Sequence, residues 1–98
     1  VNRQLKLKNL EDLKLFLKEF FKDKPVKVYL FGSRARGDNS PFSDVDVAVD
    51  SELDLRRELT LLREILEESS LPYKVDLVEL RGAPYLREVV EKEGVRWL

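Results

Sequence analysis

The chain contains no cysteine and no histidine. That absence closes off disulfide scaffolds, zinc sites of the usual ligand types, Ser-His-Asp and Cys-His nucleophilic catalysis, and acid–base chemistry on an imidazole. Long apolar runs are missing as well. Nothing approaches the roughly 18 residues of a membrane-spanning helix, so no membrane role is expected. Nor does one charge dominate: eighteen Lys plus Arg face nineteen Asp plus Glu, a formal net charge of −1. No global field steers the molecule to nucleic acid or to an anionic lipid surface, and no direct nucleic-acid partner is expected. Repeats, low-complexity tracts and linkers are absent too. What remains for chemistry is carboxylate, lysine, arginine and tyrosine, and any electrostatic function must be local.

What is present suits a small globular fold. Ninety-eight residues, 43% hydrophobic and 38% charged, can fill one core under a dense ionic surface, so a single domain over residues 1–98 is expected. The opening Val1-Asn2-Arg3-Gln4 has no apolar stretch of the signal-peptide kind, which makes a cytoplasmic protein the expectation.

Periodicity orders the elements. From Asn9 to Asp23, Leu10, Leu13, Phe16, Leu17, Phe20 and Phe21 recur at helical spacing, with Asn9 as N-cap and Lys24-Pro25 as the stop. Val26 to Phe31 (VKVYLF) reads as a strand, and Gly32 to Ser43 (GSRARGDNSPFS) as a structured turn or loop. Asp44 to Val49 (DVDVAV) alternates strictly: Val45, Val47 and Val49 share one face, Asp44, Asp46 and Ala48 the other. Leu55 to Glu68 carries a helical stripe with Asp54 or Ser51 as cap. Tyr73 to Leu80 (YKVDLVEL) reads as a third strand, and Pro84 opens a helix through Lys92 that Gly94 ends, with a short strand or tail at Val95 to Leu98. Strands two and three, joined through a helix, should be parallel. The fold class expected is α/β (α+β), a small mixed β-sheet with helices on one face.

The informative stretch runs from Gly32-Ser33, after the first strand, across ten residues to Asp44-Val45-Asp46 on the next strand. With Asp76 on the third strand, this pattern resembles the signature of the polymerase β-like nucleotidyltransferase superfamily: a Gly-Ser pair, a spacer, Asp-x-Asp, then a third carboxylate. The short length, the flanking GSRARG and SDVDVAV, and the closing EGVRWL are similar to the minimal nucleotidyltransferase subfamily. The likeness spans essentially the whole chain.

The pattern also has a physical logic of its own. Residues two apart on a strand project to the same side, about 6.6 Å apart, so Asp44 and Asp46 can jointly grip a cation. Two carboxylates at about 6 Å repel by roughly 3 kcal/mol at an effective dielectric near 20. Mg²⁺ or Mn²⁺, which can be held by oxygen ligands alone, would offset that repulsion in a site lacking His and Cys. Asp44 and Asp46, with Asp76 where the resemblance puts the third carboxylate, are the candidate catalytic and metal-binding residues, with two ions expected and Asp76 also expected to accept or orient the proton of an incoming hydroxyl. Gly32, Ser33, Arg34 and Arg36 are the candidate nucleotide-binding residues: a backbone without a side chain, an N–H and hydroxyl, and two guanidinium groups for a triphosphate. Singly, each has a plainer reading as a turn, a solvated strand face or ordinary surface charge. Together, at this spacing, those readings require several independent coincidences.

The resemblance implies transfer of AMP from ATP, or another nucleoside triphosphate, to a hydroxyl. Minimal nucleotidyltransferases commonly act as antitoxins that adenylylate a tyrosine of a HEPN-type toxin, and that is the role expected here. Two other roles stand beside it: a small-molecule nucleotidyltransferase, which normally needs a further helical domain, and an antitoxin that inhibits by binding alone. The aspartate-bearing sheet face also carries Tyr29, Phe31, Val78 and Leu80. Either the last helix or the Trp97-Leu98 tail covers it, or it forms a base-stacking wall or a protein interface.

Overall fold

Asn9 starts the first helix as its position foretold. In α1 (Leu10–Phe20) the Asp12 N–H donates to Asn9 Oδ1 at 2.9 Å, satisfying one of the first-turn donors that a helix leaves open. This is a computed structural model, and it describes residues 6–41 and 43–98; the reading of Val1–Gln4 as leaderless, and Phe42 within the long loop, lie outside the described residues. After Pro25 come β1 (Lys27–Phe31), α2 (Ser33–Arg36), β2 (Val45–Asp50), α3 (Arg56–Glu68) and β3 (Val75–Glu79). Two 3₁₀ turns, Leu80–Gly82 and Pro84–Leu86, lead to α4 (Arg87–Glu93) and the two-residue β4 (Val95–Arg96).

The sheet is mixed, in the order β3-β2-β1-β4. β2 pairs antiparallel with β1 and, across the α3 crossover, parallel with β3, as the connection rule requires. Alternation does the sorting. Val28, Leu30, Val45, Val47, Val49 and Leu77 meet Leu13 and Leu17 of α1 and Leu59, Leu62 and Leu66 of α3 in one core, where each fully buried leucine contributes about 1.5–3 kcal/mol. Trp97 and Leu98 close the same core, with the Trp97 N–H on the Val28 carbonyl at 2.8 Å.

The two long helices thus share one face, as expected, while the shorter last segment goes to the other. There Phe31 and Ala48 pack with Leu80 and Val90, and with Tyr29, Val78 and Leu86 at the margin. The covering elements are the Leu80–Gly82 turn and the last helix, not the tail, and Ala48 beneath them is fully buried. Three local expectations also shift. The stretch after β1 contains a helical turn, because Ser33-Arg34-Ala35-Arg36 lies between two glycines with positive φ. The N-cap of α3 is Leu55, without a side-chain cap bond, while Asp54 and Ser51 bond nearby amides, those of Arg56 and Leu53. Pro84 opens a 3₁₀ turn, with the α-helix itself beginning at Arg87. Among the described residues no helix is long and apolar enough to cross a membrane.

Candidate active site

The site is assembled where β1 ends. Gly32 has φ +77°, a backbone conformation that side-chain-bearing residues rarely adopt. A Cβ there would overlap Asp46 Oδ2, so the position requires glycine twice over, for its dihedral and for the close approach of the β2 carboxylate. Its carbonyl accepts the N–H groups of Ala35 and Arg36, both at 3.1 Å. Gly37, at φ +84°, then ends α2 in the left-handed region, with its N–H on the Ser33 carbonyl at 2.9 Å. Ser33 and Arg34 occupy the first turn of α2, where backbone N–H groups have no intrahelical acceptor. The Ser33 hydroxyl makes no hydrogen bond to the described residues.

Strand register brings the carboxylates to this turn. Phe31 lies opposite Asp46, and Asp46 opposite Asp76, in one row across neighbouring strands about 4.8 Å apart. Asp44 lies just before β2, exposed; Asp76 is exposed, and Asp46 is half-buried. Burial raises the Asp46 carboxyl above its ordinary value, and the charges of Asp76 and then Asp44 push it the same way; Arg36 opposes them. Arg36 is itself steadied by Asp38 Oδ2 at 3.1 Å and by Glu93 Oε2, at the end of α4, at 2.9 Å.

Asp44, Asp46 and Asp76 therefore act electrostatically as one cluster beside Gly32 and Arg36. Among the described residues, though, no group of three acidic side chains stands close enough together to hold an ion as placed. Its donor chemistry, oxygen only with unrelieved mutual repulsion, fits a hard divalent cation. Arg34 stands apart from this group. Its Nε and Nη2 donate to the Ser43 carbonyl at 3.1 and 2.9 Å, and its guanidinium carbon lies 4.2 Å from the Tyr73 ring centroid. Tyr73 and Glu93 carried no signal in the sequence: one read as the start of a strand, and the other is 57 residues from the arginine it meets. The site is an open sheet face. The 740 Å³ cleft at the opposite end of the sheet, lined by Lys24, Lys27, Arg81, Arg87 and Arg96, contains none of these residues, and a 420 Å³ cleft between α3 and β3 reaches Asp76 from the side.

Comparison with known proteins places the chain in a family. The family model described as "Nucleotidyltransferase domain" matches residues 10–96. The probable protein adenylyltransferase MntA of Haemophilus influenzae is 36% identical over 92 residues, covering 90% of this chain and 77% of that protein. A Methanocaldococcus jannaschii protein, provisionally named for the same activity, is 33% identical over 96 residues, covering 89% and 96%. Among solved structures, a toxin-antitoxin crystallised with AMP-PNP superposes with a TM-score of 0.63 at 31% identity, over 87% of this chain and 72% of that one. A mutant of the toxin-antitoxin MntA-HpeT gives 0.60 at 29% identity, over 87% and 71%.

Proposed function

The chain belongs to the nucleotidyltransferase domain family, and from that membership we propose that it is a protein adenylyltransferase, moving AMP from ATP to a hydroxyl of a partner protein. The acceptor in this reading is a tyrosine of a HEPN-type toxin, and the chain is its antitoxin. The names of its relatives, two adenylyltransferases and a toxin-antitoxin pair, support the activity and the setting. The observation that carries it is the contact between Gly32 and Asp46 in a row with Asp76: a bare backbone for phosphate oxygens against carboxylates that need a cation.

The residues divide the work. Gly32 lets the triphosphate approach the backbone, Ser33 offers an N–H and a hydroxyl, and Arg36 supplies a positive charge near Asp46, with Arg34 adding charge on the same turn. Asp44, Asp46 and Asp76 would hold Mg²⁺ or Mn²⁺, two ions in the full reading, whose chemistry is to neutralise charge on the triphosphate and the departing pyrophosphate. The acceptor oxygen forms a bond to the α-phosphorus as the bond from that phosphorus to the bridging oxygen breaks. Pyrophosphate leaves with the electron pair. Asp76, exposed at the end of the row, accepts or orients the hydroxyl proton.

The test is label transfer to the purified toxin partner. Label from α-labelled ATP should remain on the toxin in Mg²⁺, be lost with chelator, and never arrive from γ-labelled ATP. Transfer of the γ-label would mean attack at the terminal phosphorus and would overturn the reading.

A further inference from the structure

Arg34 does more than add charge. Its Nε and Nη2 fork onto the Ser43 carbonyl at 3.1 and 2.9 Å, while its guanidinium carbon lies over the Tyr73 ring, 4.2 Å from the centroid. Ser43 immediately precedes Asp44, and Tyr73 opens the segment that leads to Asp76. Just inside the clamp, the Val45 N–H donates to the Lys74 carbonyl at 2.8 Å. One guanidinium thus ties the turn after Gly32 to the two segments that deliver carboxylates.

We propose that Arg34 is a positioning residue of the transfer site: it clamps the entries to β2 and β3 against the Gly32-Ser33 turn and so sets where Asp44 and Asp76 stand. The proposal rests on the function proposed above for its link to turnover, though the clamp itself does not. A planar fork that also stacks on a ring is a geometry lysine cannot reproduce. A guanidinium bound in this way holds the protein chain, and the triphosphate falls to Ser33 and Arg36.

Two measurements test it. The first is amide hydrogen exchange in the full chain without metal or nucleotide, comparing wild type, Arg34→Lys, Tyr73→Leu and Tyr73→Phe. The hydrogen-bonded amides of Ser43 and Val45 should exchange about tenfold faster in Arg34→Lys and in Tyr73→Leu as local opening becomes easier, and Tyr73→Phe, which keeps the ring, should restore the wild-type rate. The second is steady-state transfer. Arg34→Lys should lower kcat about 10- to 100-fold, as supporting residues around a site do, with KM for ATP within about twofold of wild type. Unchanged exchange in both Arg34→Lys and Tyr73→Leu overturns the clamp. A raised KM with unchanged kcat overturns the positioning role and makes Arg34 a triphosphate ligand. If the wild type transfers no AMP while exchange responds as expected, the proposed function fails and the clamp stands.

Discussion

Replacing Asp46 by asparagine should stabilise the metal-free protein, although the site is where activity is most easily lost. Asp46 is half-buried, paired across the sheet with Asp76 and two residues from Asp44. With strands about 4.8 Å apart, its carboxylate stands roughly 5–6 Å from that of Asp76. At an effective dielectric near 20 such a pair costs about 3 kcal/mol, and in bulk water below about 1 kcal/mol. Asp76 and Asp44 are exposed, so solvent screening takes the real figure toward the lower end. A gain of about 1–2 kcal/mol at neutral pH follows, which for a domain of this size raises Tm by roughly 4–15 °C.

The pH dependence gives the sharper check. Burial, Asp76 and Asp44 hold the folded Asp46 carboxyl above its ordinary value, near 3.9 in an unfolded chain. Below that unfolded value the group is protonated in both states, and its favourable contribution is fully present. As pH rises through the higher folded value, the carboxylate must charge beside its neighbours and stability is lost. Denaturant unfolding of wild type and Asp46→Asn in chelator, from acid to neutral pH, should show curves that converge in acid and separate upward. Saturating Mg²⁺ and ATP, worth roughly 2.7 kcal/mol at 100 times Kd, should then favour the wild type. An Asp46→Asn protein less stable in chelator at neutral pH, or a difference that ignores pH, would refute the clustering of charge.

Gly32→Ala should lose about 1–3 kcal/mol, because φ is +77° and the new Cβ meets Asp46 Oδ2; urea midpoints would show it, and displacement of Asp46 should abolish transfer as well. Leu62→Ala, at a side chain with no exposure, should cost about 2–5 kcal/mol, whereas Leu61→Ala, 52% exposed, should stay within about 0.5 kcal/mol; equal effects would mean α3 is turned differently on the sheet. Glu93→Gln removes one of the two carboxylates that steady Arg36. It should raise KM for ATP about three- to tenfold with little change in kcat, and an unaltered KM would leave Arg36 outside the nucleotide site.

How much of this was legible depended on distance along the chain. The stripe of α1, the Asn9 cap, and the alternation of Val45, Val47 and Val49 are local patterns, and the structure contains each. Gly32 could be marked as a turn glycine, but its contact with Asp46 waits on strand pairing. The helical turn Ser33–Arg36 was hidden because four residues are too few to display a period. Ala48 was placed on the open face correctly, but not as buried: Leu80 and Val90, which cover it, lie more than thirty residues on. Arg34 and Arg36 read alike as loop cations. Only folded neighbours distinguish them, Ser43 and Tyr73 for one, Asp38 and Glu93 for the other.

Folding and chemistry here depend on one register. Val45, Val47 and Val49 face the two long helices because alternate residues of β2 point inward, and the same alternation sends Asp46 to the opposite face. A slip of one residue would put Asp46 in the core and a valine beside Gly32, which an unpaired buried carboxylate makes prohibitively costly. Parallel pairing applies the same restraint to Asp76, whose neighbour Leu77 is core. The apolar face therefore holds the charged row in place against its own repulsion. Hydrophobic burial keeps Asp44, Asp46 and Asp76 crowded against their mutual repulsion, and in the proposed function a bound cation would relieve the charge that this burial cannot.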